Sequence, residues 1–307
     1  MTALLLGALG LTLSLVVPGV LASARWPDRA PVAAIVLWQA ITLAGILCAL
    51  GVVLAGPQEL IDESGPGKPV GTAALIAALA VATLIIIRLL VSLAGVSYRS
   101  RTRRARHRML VDLLDSAERH GELPAQVPEG LRVLDGPLPF AYCLPGRRPR
   151  LVLSEGVLRV LDTAQVAAVI AHEQAHLRYR HALVMESFTA FYRAVPRPLR
   201  SRVPLDAVHL LLEMAADDAA RARSGAQPLR SALSVLSDAV SPDAPDGMDS
   251  AGAARERRRR LDRLDGADSR SAALSVLAAT MAVGLLVLPT VILVVPWLDR
   301  ALTTWPL

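Results

Sequence analysis

Cysteine is scarce in this sequence. Only Cys48 and Cys143 occur in 307 residues. One lies in an apolar run and the other in a polar region, so neither a disulfide framework nor a thiolate zinc site is expected. Lysine is scarcer still: Lys68 is the only lysine among 33 Lys and Arg side chains. That bias towards arginine reflects genome composition more than chemistry. The formal charge is +6. It does not indicate a nucleic-acid partner, because the arginines flank apolar runs, the pattern of membrane topology. No internal repeat is visible, and no polar stretch outside the apolar runs that is assigned to the outer face is long enough to fold alone.

Charge is also missing from four long runs. Spanning a bilayer takes about 20 apolar residues. The runs 2–22, 31–56 and 271–298 contain no charge, and 70–96 contains only Arg88. With 53% hydrophobic residues and a mean hydropathy of +0.44, the chain reads as a multi-pass membrane protein with the lipid bilayer as partner. Arg88 either snorkels to the interface or meets a polar group inside the helix bundle. The first run lacks a basic flank, so it reads as a span and not as a cleaved signal peptide. Arginines crowd the segment after the third run (Arg99, Arg101, Arg103, Arg104, Arg106, Arg108). They also crowd the segment before the fourth (Arg255, Arg257 to Arg260, Arg263). The loop between the second and third runs holds Glu59, Asp62, Glu63 and Lys68. The positive-inside rule then makes 97–270 cytoplasmic and places both termini outside the cell membrane. The expected domains are three spans in 1–96, a cytoplasmic domain in 97–270, and a fourth span with a short tail in 271–307.

The fold expected for the cytoplasmic part is mainly helical with a small sheet. An amphipathic helix is predicted over 109–120. Two or three short strands follow, with turns at Asp135-Gly136-Pro137 and Pro145-Gly146. A short helix is predicted from Glu155 to Val160. The next starts at a cap on Asp162 or Thr163 and runs to about Tyr192, where Pro196 and Pro198 end it. Further helices are predicted over 205–223 and 229–240, and SPDAPDGMDSAGA (241–253) reads as a flexible linker.

Within the long helix stands AHEQAHLRYRH, residues 171–181. Residues four apart share a helix face, so His172 and His176 can offer two imidazoles to one metal ion, with Glu173 beside them to activate a water. The preceding turn, VAAVIA, is apolar, which makes burial of these groups costly without a partner. Zinc needs a third protein ligand and an open position. The helix LDAVHLLLEMAADDAARA (205–222) offers Glu213 in an apolar stretch. Asp217 lies one turn on, as a carboxylate that orients a ligand imidazole. The predicted set is therefore Zn(2+) on His172, His176 and Glu213, Glu173 for proton transfer, and Asp217 behind them. Tyr179, His181 and His209 are candidates for an additional oxyanion donor. His181 is either that kind of helper or a basic surface residue.

H-E-x-x-H followed by E-x-x-x-D on a later helix resembles the gluzincin peptidases. Three spans, a zinc domain and a fourth span resemble the BlaR/MecR antirepressor peptidases, which are related to the HtpX-type membrane proteases. PFAYCLPGRRPRLVLSEGVL (139–158) and LEMAADDAA (212–220) resemble the segments that carry the strands and the third ligand in those groups. The resemblance implies a membrane-embedded zinc metalloendopeptidase that cleaves a cytoplasmic winged-helix transcriptional repressor after an envelope signal. It further implies that a strand from Phe140 to Leu144 pairs with an extended substrate. Two other functions remain open: HtpX-like quality control of membrane proteins, and a scaffold that binds a repressor without cutting it. Two features depart from the pattern. Only nine residues follow Leu298, so the penicillin-binding sensor of the best-known members is not carried over. The position where members often have Asp is His181 here.

Overall fold

The computed structural model describes residues 2–64, 69–113, 130–236, 250–266 and 271–304. The chain forms two compact units, one from 1–93, 190–204 and 271–307 and the other from 94–189 and 205–270. Residues 190–204, inside the part expected to be cytoplasmic, pack with the first unit. The fold class is as expected from the sequence: mainly helical, with four helices apolar enough to cross a membrane and a three-stranded sheet among the described residues.

The first unit begins with α1 (Thr2–Leu11), a π-helical turn at Thr12–Val16 and α2 (Val17–Ser23), which together make one apolar segment. It continues through α3 (Pro31–Ser64) and the start of α4 (Pro69–Leu113) and ends with α11 (Ala272–Thr304). Small residues let these helices approach: a Cβ on Gly10 would stand 3.0 Å from that of Cys48, and one on Gly51 would strike the Leu6 side chain. Without a hydrophobic drive between helices in lipid, such close packing supplies the attraction. Trp38, Leu6 and Cys48 are fully buried there. Conversely, Ile76, Leu84, Ile87, Leu90 and Val91 of α4 are exposed. A face that apolar requires an apolar solvent. Ser271 N donates to Arg29 O at 3.0 Å, joining two segments that the charge pattern assigns to one side of the membrane.

The second unit begins inside α4, so residues 109–113 extend that helix and do not start a new one. The remainder of the helix predicted over 109–120 lies outside the described residues. Strands β1 (Leu131–Leu134), β2 (Ala141–Leu144) and β3 (Arg150–Ser154) form a sheet in the order β1-β3-β2. β1 is parallel to β3 and β2 is antiparallel to it. The buried Ser154 ends the central strand and starts α5 (Glu155–Val160). Its Oγ accepts from Val157 N at 3.2 Å and from Phe140 N at 2.9 Å. One hydroxyl thus caps a helix and holds the entry to β2. A Cβ on Gly156 would lie 2.5 Å from Pro137 O, so only glycine allows the loop to pass so close.

Helix α6 (Thr163–Arg178) starts with a capping box. Asp162 accepts from Gln165 N at 2.8 Å, and Gln165 Oε1 accepts from Asp162 N at 3.0 Å. Its Val166, Val169 and Ile170 enter a core with Leu151, Leu153 and Val157. The long helix predicted to Tyr192 is in fact two. Arg180 adopts φ 54°, and α7 (His181–Ala194) begins after it. The left-handed residue is unfavourable for arginine and is marked by no glycine, asparagine or proline. Local sequence therefore gives no sign of the break. Helices α8 (Val203–Ser224) and α9 (Ala226–Val235) follow, separated by Gly225 at φ 83°. The last four residues of the predicted 229–240 helix and residues 241–249 of the linker are outside the described residues. From Ser250 the chain is helical again, as α10 (Ser250–Asp265), so the linker ends earlier than its polar composition suggested.

Candidate metal centre

α6 and α8 bring three side chains to one point. His172 Nε2 stands 3.1 Å from His176 Nε2 and 3.4 Å from a Glu213 carboxylate oxygen. The other Glu213 oxygen is 3.3 Å from His176 Nε2. Ligand atoms each about 2.0–2.1 Å from one tetrahedral ion are separated by about 3.3 Å. The triangle thus has the size that zinc requires, and two imidazoles with one carboxylate suit its chemistry. Both Nε2 atoms face each other across the gap, an arrangement that needs a proton or a cation between them.

In the metal-free site, electrostatics favour a proton on His172. Burial works against a charge on His172, but Asp217 and Glu213 outweigh it and push its pKa up to about 10. Burial brings His176 down to about 3, against the pull of Glu213. Without metal, then, a proton on His172 Nε2 can be shared with the neutral His176 Nε2, in the place a cation would take. Metal binding must release that proton.

Behind the triangle, Asp217 Oδ1 lies 3.0 Å from His172 Nδ1. A carboxylate at the far nitrogen fixes the ring and its tautomer. His176 has a different neighbour: its Nδ1 is 2.9 Å from His181 Nδ1. The break at Arg180 sets the buried His181 there, which excludes the surface alternative of its two readings. Burial holds His181 at about 4, so both rings are neutral. If His176 keeps its Nε2 lone pair for a ligand role, its proton is on Nδ1 and His181 accepts it. Glu173 is half-buried on the same turn of α6. Of the oxyanion candidates, Tyr179 is 51% exposed. His209 is buried one turn before Glu213, with Nδ1 3.3 Å from Glu256 and Nε2 unpaired among the described residues.

Sequence reasoning missed Arg260. From α10 its Nε and Nη2 each donate to Asp217 at 2.8 Å, and its Nη1 lies 2.8 Å from Glu213 Oε2. Burial alone would raise both carboxyls, but the guanidinium and the histidines overcome it. Asp217 is held at about 2 and Glu213 well below the usual carboxylate range. Arg263 binds Asp218 at 2.7 Å. Glu256, Arg260 and Arg263 recur at i, i+4 and i+7, the spacing of one helix face. That was the available signal, hidden in a run of arginines that topology already explained.

Residues 100–202 match Peptidase family M48. The segment includes His172, Glu173, His176 and His181; Glu213 and Arg260 lie beyond it. A protease HtpX homolog of Thermoplasma acidophilum is 33% identical over 75 residues, 24% of this chain and 23% of that protein. Another HtpX homolog, from Acidiphilium cryptum, is 39% identical over 61 residues, 19% of this chain and 21% of that protein. The chain thus spans less than a quarter of the length of these curated relatives. No solved structure matches.

Proposed function

We propose that this protein is a membrane-embedded zinc metalloendopeptidase of the HtpX kind. The observation that carries the reading is the convergence of His172, His176 and Glu213 at 3.1–3.4 Å beside Glu173. The M48 match and the four apolar helices support it. His172, His176 and Glu213 would hold the zinc, which supplies Lewis acidity and lowers the pKa of water to about 7. Asp217 and His181 hold the two rings at their far nitrogens, and Arg260 holds Glu213. Glu173 takes the proton of the attacking water and delivers it to the leaving amine. β2 is an edge strand among the described residues. Its open side can take an extended substrate by main-chain hydrogen bonds. The active unit faces the cytoplasm, by the arginine pattern.

The test is Glu173→Gln in the full chain, purified in detergent. Zinc content should equal that of the parent, while cleavage of an unfolded casein substrate should be lost. Parental cleavage by Glu173→Gln would remove the hydrolytic assignment. A second reading, proteolysis of a cytoplasmic winged-helix repressor as a signalling step, is favoured by the order of spans: three before the H-E-x-x-H helix and one after α10. A repressor that stays intact in stimulated cells would end that reading and leave the endopeptidase in place.

A further inference from the structure

Arg88 lies within the apolar part of α4, eight residues before Val96. At 1.5 Å per residue it is about 12 Å inside the end of that run. Its Nε and Nη2 donate to Ala194 O, the last residue of α7, at 3.1 and 3.0 Å. One turn along, Ser92 Oγ donates to Ala190 O at 2.7 Å. The pairing 88 with 194 and 92 with 190 is antiparallel. The end of α7 therefore runs along the spanning part of α4 and heads into it. A helix C-terminus has carbonyls without partners, and in hydrocarbon each must find a donor. Arg88 provides one where the chain turns back.

The turn is built to need little water. Arg200 donates from Nε to Val195 O at 2.8 Å and from Nη2 to Arg193 O at 2.7 Å, with its guanidinium over the Tyr192 ring. Pro196, Pro198 and Pro204 have no N–H to satisfy. Between Glu186 and Asp206 there is no acid, but there are four arginines: 193, 197, 200 and 202. Arg193 and Arg197 are exposed, and neither guanidinium has a partner among the described residues. A planar guanidinium matches phosphate oxygens.

We propose that residues 190–204 form a re-entrant loop seated below the headgroups of the bilayer, from which the long side chains of Arg193 and Arg197 reach out to the phosphates of anionic phospholipids. The inference rests on α4 being a span, and the test separates the two. Cys48 and Cys143 are buried, so the parent chain serves as the unlabelled control. Nitroxides are placed by Pro198→Cys, Ile87→Cys and Leu138→Cys in full chain reconstituted into phosphatidylcholine–phosphatidylglycerol nanodiscs. Collision with oxygen is compared with collision with a water-soluble nickel chelate. Ile87 should favour oxygen, Leu138 nickel, and Pro198 should resemble Ile87 more than Leu138. Pro198 as nickel-accessible as Leu138, with Ile87 in lipid, overturns the loop proposal alone. A nickel-accessible Ile87 overturns both. Each arginine near an anionic surface is worth about fivefold in binding. The Arg193→Gln/Arg197→Gln chain should therefore bind phosphatidylglycerol about 25-fold more weakly, read by native mass spectrometry during lipid titration. Unchanged binding in a variant of parental helicity refutes the headgroup contact.

Discussion

Replacing Arg260 by methionine should destabilise the metal-free protein far more than the zinc-loaded one. The guanidinium makes three contacts of 2.8 Å to two carboxylates. The side chains concerned are 13% exposed for Arg260, 1% for Asp217 and 11% for Glu213. Methionine keeps the stem volume and removes the charge. Two buried carboxylates then lose the guanidinium, with the His172 and His176 rings still beside them. Removing one partner of a buried pair costs about 3–5 kcal/mol, because the other charge is left uncompensated. A bound divalent cation ligated by Glu213 would replace much of the lost charge, so zinc should recover part of the loss. At roughly 2–4 °C per kcal/mol for a unit of this size, the chelator-treated variant should unfold roughly 6–20 °C below the parent. The assay is thermal unfolding of the full chain in detergent, with chelator and with zinc. Arg258→Met, on the exposed side of α10, is the control and should stay within about 0.5 kcal/mol of the parent. If Arg260→Met did the same in chelator, or if zinc made no difference to its deficit, the assignment of Arg260 to the carboxylate pair would be wrong.

Four further outcomes are expected. His181→Ala should weaken zinc binding roughly 10–100-fold, and His181→Asp should restore it by giving His176 a carboxylate at the far nitrogen; equal affinities by competition with a chromophoric chelator would refute the role. Glu213→Ala should lower zinc occupancy together with activity, since two imidazoles make an incomplete site; full zinc content would send the search for the third ligand to His209 or Asp217. A reporter fused after Arg108 should be cytoplasmic and one between Gln58 and Pro69 external, and the reverse would remove the case for a cytoplasmic substrate. If the chain cleaves itself, mass spectrometry of active membranes should find breaks within 241–249, the polar stretch that precedes α10; intact chain throughout would exclude it.

Some of this molecule could be read without any structure, because the information is local. Twenty apolar residues in a row can only be satisfied in lipid or in a large core, so the spans are visible as composition. His172 and His176 share a face through helix period alone, and Glu213 with Asp217 through the same period. A cap on Asp162 or Thr163 announces α6. What sequence could not supply depends on contacts between segments distant along the chain. Arg180 takes a left-handed conformation that nothing nearby demands, and that turn alone converts His181 from the next position on a helix into the neighbour of His176. Arg260 looks like one of a row of topological charges. Its meaning comes from α10 lying against α8, where two buried carboxylates need a counter-charge. Arg88 looked like an isolated charge in a span until the end of α7 provided the carbonyl it binds. Helix periodicity is written in each segment, whereas the pairing of a buried charge is a property of two segments and appears only once they meet.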